Sequence, residues 1–241
     1  MPAFAVDPRL SPDVPHHLRR RIDRFTALGY MAVAGALSGV PIAQQPDRDR
    51  IGVFMANTRS GWSYAEPELI RLIHSGVDAM RAYLATAWFP AALQGETTIG
   101  LDLRGCAKTA SGRVSGFGEA LWLARDALER HAVDLAIVGA AESLVSPFVL
   151  HDWPPDEPLP SRGMAEGAVM FAIRRPSGQN RILLTDLRYT RQPPQQEPDW
   201  VPTLSGAGRL RMAVDTAVGE DTNVALGGGY WITVNYPKED S

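Results

Sequence analysis

Few side chains in this 241-residue sequence could serve as nucleophiles. The one thiol belongs to Cys106, and the hydroxyls of Ser111 and Ser115 follow it closely. A serine hydroxyl attacks only when a neighbouring base activates it, and the sequence offers no obvious base at either position. We therefore interpret both serines as helix-start residues. Free cysteine is among the most buried residue types, so we interpret Cys106 as a structural residue.

The sequence contains five histidines, all before residue 152, which could act as bases or metal ligands. No spacing among them matches a metal motif, so no metal site is expected. Two lie in a polar leader, and two more lie on or after predicted helices. We interpret all five as solvated or packed side chains: His16, His17, His74, His131 and His151.

Composition narrows the function classes. The chain is 45% hydrophobic and 21% charged, which is ordinary for a globular protein with a substantial core. The net charge is -3 and the basic residues are dispersed, so no nucleic-acid surface is expected. No apolar stretch reaches the ~18 to 20 residues of a membrane span, and the start lacks the apolar core of a signal peptide. We expect a cytoplasmic protein. No cofactor is expected, because Gly227–Gly229 lacks the strand-to-helix setting of a nucleotide loop.

Hydrophobic periodicity predicts alternating helices and buried strands. The predicted helices are Arg24–Leu37, Glu66–Leu84, Trp88–Gln94, Gly116–Leu128 and Ala207–Val218. The predicted strands are Arg50–Met55, Asp134–Gly139, Ala168–Ile173, Ile182–Tyr189 and Asn223–Val234. Proline-rich stretches at Asp152–Gly163 and Gln192–Pro202 are expected to be connections. The pattern predicts an α/β layered fold with the sheet in the middle.

Five short motifs follow one another in the order in which a known family has them. They are Arg21–Phe25 (RIDRF), Arg50–Met55 (RIGVFM), Leu103–Gly105 (LRG), Asp134–Glu142 (DLAIVGAAE) and Gly163–Ala168 (GMAEGA). Together, over residues 21–175, they resemble the N-terminal half of β-ketoacyl synthases, the thiolase-fold condensing enzymes of fatty-acid and polyketide synthesis. The resemblance implies a single domain over residues 1–241 with a thiolase-like layered fold. Helices would surround a central mixed sheet, and the fold would be truncated relative to a full ketosynthase.

The resemblance also implies that the chain lacks the family's catalytic residues. In active members the nucleophilic cysteine stands nine residues after the glycine that matches Gly105. That count leads here to Val114, which has no nucleophilic atom. Cys106 occupies the family's proline position, at the beginning of the strand that precedes the nucleophile. None of the five histidines lies in a motif like those of the family's two catalytic histidines.

The last part of the sequence can be interpreted in two ways. Residues Thr203–Gly208 resemble the motif after the family's second catalytic histidine, which would put Pro202 in the histidine position. Asn223–Gly229 loosely resembles the family's closing motif. Alternatively, the two stretches are simply a helix start and a glycine turn. Both interpretations leave the chain without a Cys-His-His set.

A non-catalytic partner role is what the resemblance implies. Condensing enzymes pair two subunits across the strand before the nucleophile. Their cysteine-less relatives, the chain-length factors of type II polyketide synthases, pair with an active ketosynthase and shape its acyl tunnel. The pairing strand here would comprise Ala107, Lys108, Thr109, Ala110, Ser111 and Gly112. The tunnel wall would comprise Trp88, Phe89 and Leu93, for which ordinary core packing is the alternative.

The chain most resembles short members that accompany ketosynthases in bacterial aryl polyene pathways. This implies a heterodimer with an active β-ketoacyl-ACP synthase and contact with an acyl carrier protein through that complex. The arginines at 19–21 and 24 could attract an acidic carrier or form a solvated basic leader. Two alternatives stay open: a stand-alone acyl-transferring or decarboxylating enzyme with an unusual nucleophile, and a homodimeric acyl-binding scaffold.

Overall fold

The structure is a computed structural model that describes residues 7–59, 61–112, 115–151, 166–176, 183–189, 202–216, 222–227 and 230–235. Its helices are α1 (Arg24–Ser38), α2 (Trp62–Ser75), α3 (Leu84–Ala87), α4 (Ala92–Gly100), α5 (Gly116–Glu129), α6 (Pro147–His151) and α7 (Pro202–Thr216). Its strands are β1 (Ile51–Asn57), β2 (Ala107–Ser111), β3 (Leu135–Ser143), β4 (Glu166–Ile173), β5 (Leu183–Tyr189), β6 (Thr222–Gly227) and β7 (Tyr230–Asn235). Short 3-10 turns lie at Pro8–Leu10, Ile42–Gln44, Arg48–Arg50 and Val77–Ala79.

The first four strands form a mixed sheet in the order β2-β1-β3-β4. Strands β1, β2 and β3 are parallel, and β4 runs antiparallel to β3. Every residue of β1 and β3 is buried, as expected for central strands that are covered on both faces. Strand β2 lies at one edge of the sheet and β4 at the other.

The remaining strands form an antiparallel sheet in the order β5-β7-β6. One core cluster joins side chains of both sheets with those of α5 and α7, which places the two helices between the sheets. A second cluster packs α1 and α4 against the other face of the four-stranded sheet, with Phe25, Val33 and Leu93 buried there. The layered α/β arrangement expected from the sequence is therefore confirmed.

Two helix predictions before β2 are wrong in their bounds. The helix expected over Glu66–Leu84 begins four residues earlier, at Trp62, and ends at Ser75. Gly76 has a φ of 80°, a left-handed conformation that favours glycine and ends the helix there. The helix expected over Trp88–Gln94 does not form at Trp88 and begins only at Ala92, after Pro90.

The predicted strand over Asn223–Val234 is also wrong, because the structure has two antiparallel strands there, β6 and β7. The other predicted helices and strands are present, with ends shifted by up to five residues. Residues 152–163 and 192–201, which fall in the two predicted proline-rich connections, lie outside the described residues. No helix among the residues that the structure describes is long and apolar enough to cross a membrane.

Candidate functional site

The three parallel strands of the four-stranded sheet end on the same side of the molecule. Asn57 links two segments there through hydrogen bonds. Asn57 ends β1 and is fully buried. Its Oδ1 accepts a hydrogen bond of 3.4 Å from the Oγ of Ser111, which ends β2. Its Nδ2 donates a 2.7 Å bond to the carbonyl of Pro90. Asn57 therefore ties the end of β2 to the segment between α3 and α4.

Glu142, near the end of β3, fixes the turn after β1. Its side chain is fully buried, and its carboxylate accepts hydrogen bonds from the backbone N–H groups of Thr58 and Arg59. A buried carboxylate requires such donors, because burial without them is costly. Thr58 in turn donates from its Oγ1 to the carbonyl of Gly112, over 3.4 Å. The turn is thus held by β3 on one side and by the end of β2 on the other.

Gly61 brings the same turn against Trp88. Its φ of 82° is a left-handed conformation, and a Cβ built at this position would collide with the backbone of Trp88. Only glycine allows this approach. Together with the bond from Asn57 to Pro90, it fixes the Trp88–Pro90 turn at the carboxyl edge of the sheet.

The elbow between β2 and α5 is the position where the family resemblance places a nucleophile. Gly112 and Ser115 flank it, and Val114 between them lies outside the described residues. Ser115 directly precedes α5 and donates from its Oγ to Oε1 of Glu119 over 2.6 Å. Sequence analysis missed this acceptor, although a serine and a glutamate four residues apart at a helix start would have indicated it. The other candidate hydroxyl, that of exposed Ser111, has Asn57 as its partner.

Cys106 lies at the opposite end of β2. Its carbonyl accepts the N–H of Val53 at 3.0 Å, and its side chain is partly buried against the main core cluster. Cys106 precedes Gly112 by six residues of extended chain, which is about 20 Å at ~3.3 Å per residue. The one cysteine of the sequence is therefore remote from the elbow.

None of the five histidines is buried at this site. All five are exposed. The described part of the chain holds no group of three or more metal-ligating side chains. The predicted histidine position, Pro202, is the first residue of α7.

The three predicted tunnel residues separate into two groups. Leu93 is fully buried in the core cluster on the α1 side and packs against Gly29 of α1. Trp88 and Phe89 lie in the turn between α3 and α4 and are 48% and 52% exposed. Leu93 thus packs in the core of this chain, while the two aromatic rings lie on its surface, and the tunnel role of all three stays a prediction.

The predicted pairing strand is an edge strand. Lys108 and Ser111 are exposed, Ala110 is buried, and Ala107 and Thr109 are half-buried. Among the described residues, β2 pairs only with β1. Side chains in β2 are small except for Lys108, so another chain could approach its backbone closely.

The hydrogen-bond ladder shows which groups of β2 are available. Val53 pairs with Ala107, and its N–H bonds to the carbonyl of the preceding residue. In a parallel ladder this directs the main-chain groups of Lys108 and Ala110 toward β1. The main-chain groups of Ala107, Thr109 and Ser111 therefore point to the open side of the sheet.

Two of the sequence motifs meet in space. Arg24, in the first motif, forms an ion pair with Glu166, in the last, and its Nε donates to Oε2 at 2.9 Å. The same Oε2 accepts a 2.9 Å bond from the Oγ of Ser143 at the end of β3. Both charged side chains are largely buried, at 14% and 11% exposed. This network ties the start of α1 to β3 and β4.

Asp23 connects α1 to α2 next to this ion pair. Its carboxylate accepts the N–H groups of Phe25 at 2.9 Å and Tyr64 at 2.7 Å, and the Oγ of Ser63 at 2.6 Å. Burial raises the pKa of Asp23, and these hydrogen bonds partly offset that rise. The aspartate thus begins α1 and holds the first turn of α2 at the same point.

Comparison with known proteins defines the family. The β-ketoacyl synthase N-terminal domain model matches residues 3–159. A putative polyketide β-ketoacyl synthase 2 of Streptomyces virginiae is 30% identical over 141 residues, 58% of this chain and 35% of that protein. The tetracenomycin polyketide synthase ketoacyl synthase beta subunit of Streptomyces glaucescens is 25% identical over 138 residues, 57% of this chain and 34% of that protein. The chain belongs to the β-ketoacyl synthase N-terminal domain family, and its match spans about a third of the length of these relatives.

Solved structures confirm the thiolase-like ketosynthase fold. A ketosynthase complex of a type II polyketide synthase with its acyl-carrier protein matches with a TM-score of 0.63 at 29% identity, covering 71% of this chain and 52% of that chain. The ishigamide ketosynthase/chain length factor matches with a TM-score of 0.59 at 21% identity, covering 89% and 59%. The complex of a ketosynthase with its chain length factor from Xenorhabdus doucetiae matches with a TM-score of 0.63 at 14% identity, covering 96% and 87%.

Proposed function

We propose that this chain pairs with an active β-ketoacyl-ACP synthase as a chain-length-factor-like subunit. In this role it performs no condensation itself and helps shape the acyl tunnel of its partner. The observation that carries the proposal is the placement of β2. This strand is an open edge beside the elbow, and the one cysteine of the sequence lies at its far end.

The absence of a condensing nucleophile at the elbow supports the non-catalytic part of the proposal. Condensation requires an acyl-accepting thiolate, which a helix N-terminus would stabilise at the start of α5. The count from Gly105 assigns this position to Val114, and Cys106 lies about 20 Å away at ~3.3 Å per residue. The exposed histidines supply no base to the site.

The relatives support the partner and the pathway. Two of the structural neighbours come from complexes of a ketosynthase with a chain length factor, and a third contains an acyl-carrier protein. The Xenorhabdus match covers nearly all of both chains, so the two chains are of similar length. A polyketide or aryl polyene pathway, with an acyl carrier protein that visits the heterodimer, is the assignment that fits these neighbours.

The tunnel role passes to Trp88 and Phe89. Both rings are about half exposed, and the hydrogen bond from Asn57 to Pro90 holds their turn at the same sheet edge as the end of β2. A partner docked along β2 would cover these rings. Bulky apolar side chains in such a position limit the length of an acyl chain by steric exclusion.

The test is native mass spectrometry of the chain co-expressed with the active ketosynthase encoded nearest to it. We expect a one-to-one complex for the wild type and none for Thr109→Pro. Proline removes an N–H that points to the open side of β2, and edge strands tolerate proline because the ladder to β1 does not use that N–H. The matched control is Thr109→Ala, which loses the 3.1 Å bond from Oγ1 to Gln94 but keeps the N–H.

Three outcomes decide the proposal. Complex formation by the wild type and by Thr109→Ala, with its loss in Thr109→Pro, supports pairing through β2. Equal complex formation by all three chains contradicts it. A stable homodimer that ignores the ketosynthase identifies the chain as a homodimeric acyl-binding scaffold instead.

The Ser115–Glu119 hydrogen bond favours a second candidate, an acyl-transferring enzyme. The Ser115 oxygen would attack a thioester carbonyl and release the carrier thiol, with Glu119 as the proton acceptor. Incubation with acyl or malonyl carrier protein followed by intact mass spectrometry tests this function. An adduct or loss of carbon dioxide that disappears in Ser115→Ala supports the enzyme, and an unchanged mass and substrate contradict it.

A further inference from the structure

A cavity of about 360 Å³ opens between the N-terminal segment and the segment that follows α2, away from the elbow. Arginine is the most frequent residue of its lining, which comprises Asp7, Arg9, Leu10, His16, Arg19, Arg20 and Arg81. The arginines at 19 and 20 belong to the basic leader noted in the sequence. In the structure both arginines line this cavity, with Arg19 half-buried and Arg20 exposed.

The charges of the cavity are not balanced. Four arginines line it, against the single lining carboxylate of Asp7. Asp7 is shared, because it accepts hydrogen bonds of 3.0 and 3.1 Å from Nε of Arg9 and lies 3.6 Å from Arg24. In the described residues, no carboxylate lies within ion-pair distance of Arg19 or Arg20. The cavity therefore keeps an excess of positive charge.

The carboxylates of Asp7 and Glu68, both near the cavity, stay ionised. Each therefore counts as one negative charge against the arginines, and the excess of positive charge remains. Burial raises the pKa of Asp7 and of Glu68. Hydrogen bonds from Arg9 to Asp7, and from Arg81 and Arg71 to Glu68, outweigh burial and leave the pKa of each group below its ordinary value. Glu68 itself is shared by Arg71 and by Arg81, whose Nε lies 3.7 Å from Oε1.

Two of the arginines that line the cavity, Arg19 and Arg81, are held in place by hydrogen bonds to other residues of the chain. The guanidinium of Arg19 donates from Nε to the carbonyl of Val14 and from Nη2 to the carbonyl of Ser11, each at 3.1 Å. These acceptors orient the arginine without neutralising it. On the opposite wall, the backbone N–H of Arg81 donates to the buried carboxylate of Glu68 at 2.8 Å. The guanidinium of Arg19, held in this way, loses little side-chain freedom when a ligand binds.

We propose that this cavity binds a small molecule that carries a phosphate or diphosphate group. Guanidinium groups match phosphate oxygens in paired hydrogen bonds, and several of them around one concave site favour a multiply charged anion over a carboxylate. The volume accommodates a diphosphate with part of the molecule that bears it. This inference does not depend on the proposed ketosynthase partnership.

The experiment is isothermal titration calorimetry of the full chain with inorganic pyrophosphate at constant ionic strength, using the ketosynthase complex where the two chains co-purify. The pocket variants are Arg20→Ala and Arg19→Gln. Arg20 has no hydrogen bond from its side chain to any described residue, so its removal should leave the fold intact. The charge-matched control is Arg130→Ala, which removes an exposed arginine paired with Asp126 at the end of α5.

We expect saturable one-site binding that weakens about tenfold in each pocket variant, as the loss of one charge-assisted hydrogen bond predicts, and that is unchanged in the control. The absence of saturable binding to the wild type overturns the proposal. Equal weakening in all three variants also overturns it, because the effect is then one of net charge. Binding of an acidic carrier protein that requires Arg20 and is indifferent to pyrophosphate overturns it too, because the cavity is then a protein-docking surface.

Discussion

The two edge strands of the four-stranded sheet, β2 and β4, differ in the contacts that each makes with the rest of the chain. Strand β4 is anchored at both ends by charged groups. At its start Glu166 pairs with Arg24, and just beyond its end Arg175 bonds to Asp134 over 2.8 Å. Helices α1 and α7 pack against β4, and helices α4 and α5 pack against β2. Strand β2 has five residues, mostly small, and no ion pair among the described residues involves them.

We propose that this difference determines which edge another chain uses. Charged side chains at an edge strand can prevent unwanted strand pairing. Those at the ends of β4 form ion pairs within the chain, whereas β2 has one charged residue, the exposed Lys108. The backbone of β2 offers the N–H and C=O groups of Ala107, Thr109 and Ser111 to its open side. Both strands are edges of the sheet, and we propose that β2 is the one that pairs with a partner. Substitutions near each strand test this difference.

The largest expected effect on stability comes from Leu93, which lies in the core cluster between α1 and the four-stranded sheet. Leu93→Ala should destabilise the chain by about 4 kcal/mol, because a fully buried leucine leaves a cavity against α1 that its neighbours fill only partly. Urea denaturation followed by circular dichroism measures the change. A loss below about 1 kcal/mol would contradict the contribution of Leu93 to this core.

The next largest effect on stability should come from the ion pair at the start of β4. Arg24→Ala should cost about 3 kcal/mol, because it leaves the largely buried carboxylate of Glu166 without its cationic partner. The same denaturation experiment measures it. The control is Arg130→Ala, where an exposed pair on α5 should contribute at most about 0.5 kcal/mol. Equal costs for the two variants would mean that β4 is not locked by this pair.

A smaller effect on stability should appear at low pH, from the ion pairs of Asp134 near the carboxyl end of β4. Hydrogen bonds from Arg50 and Arg175 lower the pKa of Asp134 to about 2, from an ordinary value of 3.8. A depressed pKa in the folded state contributes stability above pH 4, and this contribution is lost as the pH falls toward 2. The side chains are more than a third exposed, so the contribution is below about 1 kcal/mol.

The variant that tests this titration is Asp134→Asn. Its unfolding free energy should fall less steeply between pH 4 and pH 2 than that of the wild type, because the titrating group is gone. Denaturation at several pH values in this window measures the slope. Identical slopes would show that Asp134 does not titrate with a depressed pKa in the folded chain.

The smallest effect on stability should come from Phe89→Ala, because half of the ring is already exposed. We expect a change within about 1 kcal/mol. Its effect should instead appear in the product of the ketosynthase complex, as longer acyl chains detected by mass spectrometry. An unchanged product distribution from an intact complex would remove Phe89 from the tunnel.

The sequence was sufficient to predict the order of most elements and the family. Apolar runs such as that of β3 and the periodicity of α5 depend on local pattern, which a sequence displays directly. Single helix-breaking residues explain the two wrong helix bounds before β2. Gly76 ends α2 and Pro90 precedes α4, and these two residues mark breaks that apolar periodicity alone does not. The three glycines at 227–229 likewise marked the break between β6 and β7.

The candidate site was harder to predict, because its contacts join residues that are distant in sequence. Glu142 was visible within a motif, yet its bonds to the turn after β1 depend on the register of two strands. The separation of Leu93 from Phe89 depends in the same way on where α4 begins and on Gly29 of α1. A sequence pattern ranks such residues as apolar, but it does not state which of them the fold buries.

The central claim is that β2, and not β4, is the edge that pairs with an active ketosynthase. The most direct measurement is hydrogen–deuterium exchange of the chain alone and in the purified ketosynthase complex, resolved to peptides from both strands. We predict that amides of β2 exchange at least tenfold more slowly in the complex, a shift of about 1.4 kcal/mol, while those of β4 are unchanged. Protection of β4 without β2, or of neither strand, would contradict this account.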